Sequence, residues 1–454
     1  MTTDSTLPRS APGDETRGDG TAAEAADAPR VRRKVALATA VGNFVEWFDS
    51  GAYAIMSATI AGLFFPQYDK TAALLATWAV FAGGFIARPL GAAFFGRYGD
   101  RIGRNRMLAL SVLCMSGSTL LIGLLPSYAT IGIVAPVLLF LLRAVQGFST
   151  GGEYTGASAF IMEYAPEGRR ARYASVVPLT VGLASVAGAL TGLVITSSLD
   201  EAALESWGWR IPFLLAGPLG LIGLYLRSRI EDTPVFRAME RREAVQEAPL
   251  REAWRACRRQ VLTLFGYSIT NAVGYYLMSS YMISYMSEEV GYTKSQAMLV
   301  GFVAMLAYSA ACPFMAAASD RYGRRPMLLA ACGGFAVATL PVFWLIGTGL
   351  AGALVGTAVL AVLVAVIGTS NVPAMVEMFP GQLRASGSAL GYTAAYVLFG
   401  GTAPFVATGL VTAVGSPLAP GFYLMGLAVV SALVVLFAFR ETLHLPLTRT
   451  GTRE

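Results

Sequence analysis

Asp100-Arg101-Ile102-Gly103-Arg104 and Asp320-Arg321-Tyr322-Gly323-Arg324 are two copies of one short charged turn, and each follows a long apolar stretch. A second pair repeats at a similar offset. Glu163-x-x-Pro166-x-x-x-Arg170-Ala171 closes one apolar stretch, and Glu377-x-x-Pro380-x-x-x-Arg384-Ala385 closes another. Two matched elements separated by nearly the same distance imply an internally duplicated chain. Duplicated helical halves around a central site are the architecture of secondary transporters.

Working outward from these turns, the composition excludes a soluble protein. The 454 residues are 55% hydrophobic and only 14% charged, with mean hydropathy +0.57, against about 25% charged for soluble domains. From Val35 onward the apolar stretches have the length, about 20 residues, that crosses a bilayer as a helix. We place twelve, at about 35–64, 72–96, 107–125, 130–162, 171–199, 210–227, 259–287, 297–318, 327–347, 350–378, 386–413 and 418–440. The fold class is therefore an all-α membrane protein of twelve transmembrane helices in two six-helix halves. Residues 1–34 read as a disordered cytoplasmic tail: 1–30 are Ala/Gly/Thr/Asp-rich with no apolar run, so they are no signal peptide. Residues 35–227 form the N-terminal bundle, 228–258 the one long polar linker, 259–440 the C-terminal bundle, and 441–454 a second cytoplasmic tail without heptads.

A net charge of +6 and a pI near 9.1 would suit a nucleic-acid partner, but the placement of the charge argues against one. Of 34 basic residues, Lys70, Arg210 and Lys294 fall on one side of the membrane and Arg88 and Arg143 within it, leaving 29 on the other side. Basic residues accumulate in cytoplasmic connections, so both termini are expected inside the cell and the protein in the plasma membrane. His444 is the single histidine, and Cys114, Cys257, Cys312 and Cys332 form no CxxC pair. No metal site, disulfide framework or cofactor is expected. A membrane enzyme is disfavoured for the same reason, since no nucleotide loop or catalytic cluster is evident.

Charge is scarce in the apolar stretches, which makes each exception informative. Glu46 and Asp49 are three residues apart and share one helix face. Arg143, Gln146/Gly147, Thr150, Glu153/Tyr154 and Ala157 make one polar-to-small stripe along the fourth stretch, and Arg88 precedes Pro89 in the second. Each unpaired charge at the bilayer centre costs about 2.5–3.5 kcal/mol. Three acids against two arginines leave one carboxylate in surplus, which a proton would neutralise. Glu46, Asp49 and Glu153 are thus the proton-coupling candidates. Arg88, Arg143, Gln146 and Asn271 are candidate substrate ligands. Tyr275 and Tyr276, with Trp47, Phe48 and Tyr53, are candidates for a cation–π surface that would hold an ammonium group.

The stretch from Gly91 to Arg104 resembles the signature loop of the major facilitator superfamily. Gly42-Asn-Phe-Val-Glu-Trp-Phe-Asp49, Arg143-Ala-Val-Gln-Gly-Phe-Ser-Thr150 with Gly151-Gly-Glu-Tyr-Thr-Gly-Ala157, and Trp207-Gly-Trp-Arg-Ile-Pro-Phe213 are similar to the metabolite:H+ symporter family within it. That family includes carriers of proline and glycine betaine, 2-oxoglutarate, citrate and shikimate, and the likeness is closest to its proline/betaine carriers. Thr393 and Ser50 depart from it, standing where members commonly have Asn and Phe. The resemblance implies proton-driven uptake of a small polar metabolite by a unit that works as a monomer in the lipid bilayer. It also implies that Gly96, Asp100, Arg101, Gly103, Arg104, Asp320, Arg321, Gly323 and Arg324 form a cytoplasmic gate. Glu163, Arg170, Glu377 and Arg384 are read as gate or structural pairs at helix ends. A small zwitterion is the expected substrate. An organic acid is the alternative, because two arginines suit either, and a non-transporting membrane receptor is a more distant one.

Overall fold

The computed structural model describes residues 29–102, 104–150, 153–163, 165–231 and 250–445. Within these helices the side chains of Asp49, Gly96, Asp100, Arg101, Arg104, Glu153 and Glu163, together with Gly103 itself, lie outside the described residues. These candidates therefore have no side-chain contacts to report.

The chain is helical throughout, with no strand among the described residues. Its long helices follow the order expected from the apolar stretches. In the first half they are α1 (Pro29–Ile55, continued by Ser57–Phe64), α2 (Lys70–Ile102), α3 (Arg104–Leu124), α4 (Val134–Ser149, continued by Glu153–Glu163), α5 (Val176–Ser198, preceded by the turn Arg170–Ala174) and α6 (Ile211–Glu231). In the second they are α7 (Leu250–Tyr276, extended to Val290), α8 (Lys294–Tyr322), α9 (Arg324–Ile346), α10 (Leu350–Glu377), α11 (Arg384–Ala395, extended to Val414) and α12 (Ala419–Phe437). Eight of these, namely α2, α4, α5 and α8 to α12, are long and apolar enough to cross a membrane. The remaining four, α1, α3, α6 and α7, complete the twelve segments.

Helix pairing repeats with a period of six. In the first half α1 packs on α5 and α6, α2 on α4, and α3 on α4 and α6. In the second, α7 packs on α11 and α12, α8 on α10, and α9 on α10 and α12. The principal contacts between the two sets are α5 with α8 and α2 with α11, and these exchange with each other under the same shift of six. Helices in lipid associate through close backbone approach, which the α2–α4 crossing illustrates. A Cβ placed on Gly147 would lie 1.8 Å from the carbonyl oxygen of Gly84, so only glycine permits this separation.

Two helices depart from α geometry, α7 at mid-length and again at its end, and α11 at mid-length. Leu277–Tyr281 and Met286–Val290 of α7, and Tyr396–Gly400 of α11, are π turns. Each adds a residue to the turn, a feature found mostly at functional sites. Tyr276 and Tyr396 stand at the starts of two of them.

Candidate substrate-binding site

The end of the bundle at which α1 begins is here called proximal and the opposite end distal. Between them, at mid-depth, aromatic rings from both halves meet. Trp47 of α1 stacks on Tyr276 with ring centroids 6.2 Å apart and meets Tyr275 edge-on at 5.2 Å. Tyr154 of α4 approaches Trp47 edge-on at 6.2 Å and lies flat on Tyr392 of α11 at 4.9 Å. Tyr392 stacks on Tyr396 at 4.1 Å, and Tyr276 reaches Tyr396 at 6.2 Å. The Tyr275 and Ser185 hydroxyls share a hydrogen bond of 2.9 Å between the halves. The amide of Asn271 donates to the Tyr396 hydroxyl at 3.0 Å.

The candidate residues separate into groups. Trp47, Tyr275 and Tyr276 come together as one surface. Phe48 does not join them; it is buried against Phe44, with ring centroids 6.4 Å apart. Tyr53 also stands elsewhere. Its hydroxyl donates to the carbonyl of Thr77 at 2.9 Å, its ring stacks on Phe81, and the Arg143 guanidinium sits 4.5 Å from its centroid. Glu46 is 3% exposed and lies within electrostatic range of Tyr154 and Tyr276.

Arg143 is 4% exposed and donates to the side-chain oxygen of Gln146, whose amide donates onward to Thr119 at 2.8 Å. Arg88 rests on the Phe85 ring at 4.1 Å. Among the described residues no carboxylate pairs with either guanidinium, and the Nε atoms of both are buried without a hydrogen-bond partner. A buried cation without a counter-charge is unstable unless an anion is supplied.

A narrow cleft opens beside the aromatic surface. Its lining includes Trp47, Phe81, Ser185, Tyr275, Tyr276 and Ser280. Most of the lining belongs to the distal parts of the helices, such as Ile55 near the end of α1 and Gly301 near the start of α8.

The proximal end is held by charge. Arg324 is fully buried and makes a two-pronged bond to Glu377, at 3.2 Å from Nε and 3.1 Å from one terminal nitrogen. Its other terminal nitrogen bonds Asp320 at 3.0 Å. Two interactions then cross between the halves. Asp320 accepts the backbone N–H groups of Ala171 at 2.8 Å and Arg172 at 3.0 Å, at the start of the turn before α5. Arg170 approaches Glu377 at 3.5 Å and donates to the Leu445 carbonyl at 2.6 Å. Among the described residues the cations on Glu377 are thus Arg324 and Arg170, both remote in sequence, while Arg384 is buried at the start of α11. Gly323 has φ +102°, a conformation that favours glycine. Arg321 lies over the exposed ring of Tyr322.

Sequence reasoning missed Glu441 and Thr442. Glu441 accepts the N–H groups of Arg324 and Arg325 at 2.9 Å each, capping α9, and Thr442 donates to Glu377 at 2.7 Å. A lone acid just past the last apolar stretch was the available signal. Phe81, Phe85, Tyr308 and Tyr396 were missed because nothing in an apolar helix marks which face its rings occupy.

Two family matches cover the chain: the Major Facilitator Superfamily over residues 40–293 and the Sugar (and other) transporter family over residues 237–452. A proline/betaine transporter of Escherichia coli (strain K12) is 38% identical over 425 residues, which span 91% of this chain and 85% of the relative. A glycine betaine/proline/ectoine/pipecolic acid transporter of Dickeya dadantii (strain 3937) is 37% identical, spanning 91% and 84%. The alpha-ketoglutarate permease of Escherichia coli (strain K12) is 36% identical, spanning 88% and 92%. The crystal structure of a D-xylose-proton symporter matches with TM-score 0.71 over 90% of this chain and 98% of that one, at 17% identity. That is a likeness of fold.

Proposed function

This chain belongs to the major facilitator superfamily, and from that membership we propose that it is a proton-coupled secondary transporter importing a small zwitterion of the proline or glycine betaine kind. The observation that carries the substrate class is the pairing of an aromatic surface, built by Trp47, Tyr275 and Tyr276 from both halves, with two arginines that lack a carboxylate partner among the described residues. The ring faces suit an ammonium group. Arg143, held by Gln146, and Arg88 suit a carboxylate. Glu46, Asp49 and Glu153 are the candidates to carry the proton, and Glu46 is buried beside the rings. The relatives named for proline and betaine support this reading.

The proximal end is the cytoplasmic one, because 29 of the 34 basic residues sort to that side and such residues are retained in the cytoplasm. Alternating access then consists of rocking the six-helix halves 35–227 and 259–440 in a single chain, with the Asp320 and Arg170 contacts as the inner gate. A second reading, an organic-acid symporter, is supported by two guanidinium groups without a carboxylate partner among the described residues and by the relative named an alpha-ketoglutarate permease. Uptake into proteoliposomes with an imposed proton gradient separates the two readings. With labelled proline, betaine, ectoine, 2-oxoglutarate, citrate and shikimate offered in turn, a zwitterion is expected to accumulate and to be competed only by zwitterions. Accumulation of the di- or tricarboxylate alone would select the second reading, and binding without flux would select neither.

A further inference from the structure

A second, smaller hollow lies between α2 and α4. It is lined by Gly84, Phe85, Arg88, Arg143, Gln146, Gly147 and Thr150. It shares no lining residue with the aromatic cleft, which itself has no charged residue in its wall. What stands between them is one layer of rings. Phe81 and Phe85, one turn apart on α2, have centroids 5.2 Å apart, and Tyr276 meets them edge-on at 5.9 and 5.1 Å. The Arg143 guanidinium lies 5.0 Å from the Phe81 centroid and that of Arg88 4.1 Å from Phe85. Each cation is thus held against an aromatic ring of the layer that bounds the cleft.

The two cavities ask for opposite charges. The cleft offers ring faces and hydroxyls. The pocket offers guanidinium N–H groups, including two buried Nε atoms with no acceptor, so it calls for an anion. A zwitterion satisfies both, but only when nothing separates its ends. We propose that Phe81, Phe85 and Tyr276 form an internal shutter, and that the carboxylate of the substrate reaches the Arg88–Arg143 pocket only when this shutter opens. The substrate is then read in two steps, its ammonium at the cleft first and its carboxylate afterwards. This rests on the zwitterion reading and adds the order of recognition and the residues that impose it.

The shutter is also tied to the rocking of the halves. Phe81 and Phe85 belong to α2, while Tyr276 and the seat on which the layer rests belong to the second half. A Cβ on Gly401 of α11 would stand 2.4 Å from the Phe85 ring, and one on Gly400 would stand 3.1 Å from Tyr276. Displacing α11 along α2 therefore moves the seat under the rings. A gate coupled to a rigid-body motion in this way opens only as that motion proceeds.

The test is chemical access to Thr150, which lines the pocket. Thr150→Cys protein in proteoliposomes is exposed to a membrane-impermeant anionic methanethiosulfonate added outside, with the parent protein giving the background from its own cysteines. Labelling is expected to be slow with the rings in place and faster by an order of magnitude when Phe81→Ala and Phe85→Ala are combined with it. Proline is expected to protect the cysteine, whereas pyrrolidine, which has the ammonium but no carboxylate, is not. Should the triple variant fail to fold, Phe85→Leu with Thr150→Cys is expected to give a smaller acceleration. Equal labelling with and without the rings overturns the shutter. Equal protection by proline and pyrrolidine overturns the carboxylate subsite. Either result with zwitterion uptake intact leaves the transport reading standing, and failure of the wild type to accumulate any zwitterion identifies the other failure.

Discussion

Replacing Asp320 by Asn tests whether the proximal gate is held by charge-assisted bonds to a helix start. One carboxylate oxygen of Asp320 accepts the Ala171 N–H at 2.8 Å and an Arg324 N–H at 3.0 Å, and the other accepts the Arg172 N–H at 3.0 Å. The two backbone donors belong to the first half of the chain, so these bonds form only when that end is closed. Asn keeps one acceptor but turns an NH2 group toward the remaining backbone donor, losing one bond and leaving that donor unsatisfied. A hydrogen bond to a charged group contributes about 1.5–3 kcal/mol. At 1.4 kcal/mol per tenfold change, the closed state should lose about 10- to 100-fold in population relative to the proximally open one. Spin labels at the exposed positions Glu167 and Tyr322, one in each half, would report this as growth of a longer-distance population. Glu377→Gln is the comparison. Its two-pronged bond to Arg324 lies within one half and its 3.5 Å contact with Arg170 crosses between them, so it is expected to cost about 3–5 kcal/mol of folding stability as well as lengthening the distances, whereas Asp320→Asn should lengthen the distances with a smaller loss of stability. If Asp320→Asn leaves the distance distribution unchanged, the gate is held by something other than these bonds.

Gly147→Ala forces α2 and α4 apart, because the new Cβ would lie 1.8 Å from a backbone oxygen that cannot move aside. Such overpacking costs about 1–3 kcal/mol, read as a lower Tm in detergent, and an unchanged Tm would mean the crossing is looser than described. Trp47→Leu removes the ring shared by Tyr275 and Tyr276 and is expected to raise the KM for a zwitterion about 2- to 30-fold, from a cation–π contribution of about 0.5–2 kcal/mol; competition by a carboxylate lacking an ammonium should be unaffected. Glu441→Gln should destabilise the protein at neutral pH. Burial pushes the Glu441 carboxyl up, but N–H donors from Arg324, Leu443, Arg325 and Thr442 outweigh that and hold it below its ordinary 4.5. A carboxyl depressed by folding stabilises the protein fully above its ordinary value, and that stabilisation is lost as pH falls through the depressed one. The Tm gap between wild type and variant should therefore be open at pH 7 and shrink as the pH is taken below 4.5, and a gap independent of pH would show that the cap is not carried by the charge.

The twelve segments were legible because the bilayer sets their length and excludes charge, both of which can be counted along a chain. Contacts between helices were legible only in part. Glu377, Arg170 and Arg384 stand out in the sequence as charges at helix ends, but nothing local shows that Glu377 bonds Arg324 and meets Arg170 of the other half. The rotation of α9 and the approach of the first half decide that, and neither leaves a local pattern. Trp47, Tyr275 and Tyr276 could be grouped, with Phe48 and Tyr53, only as rings whose faces suit an ammonium group. Phe48 could not be separated from Trp47 without knowing which face of α1 meets the second half. Tyr154 and Tyr392 meet ring to ring, although their helices are far apart in the chain and belong to different halves.

The duplication that reveals the fold does not extend to the chemistry inside it. Every charged residue that the sequence places within the apolar stretches away from their ends, Glu46, Asp49, Arg88, Arg143 and Glu153, belongs to the first half. The second half has no charge at all between residues 260 and 287, 295 and 319, 326 and 376, or 385 and 439. What it brings to the centre is neutral: Tyr275, Tyr276, Tyr308, Tyr392 and Tyr396, with the Asn271 amide. Separating a buried ion pair costs several kcal/mol per charge, and a rocking motion that did so in mid-membrane would face that barrier on every cycle. Here the surfaces of the two halves that meet at mid-depth set rings and hydroxyls of the second half against the first. Among the described residues the ion pairs joining the halves are at the ends, as Arg170–Glu377 proximally and Lys294–Glu201 and Lys70–Glu288 distally. Water can take over the bonds of a charge at an opening end. If the halves rock as proposed, this asymmetry leaves their shared mid-depth surface without a charge pair to break, and the proposed substrate and proton residues stay together in the first half.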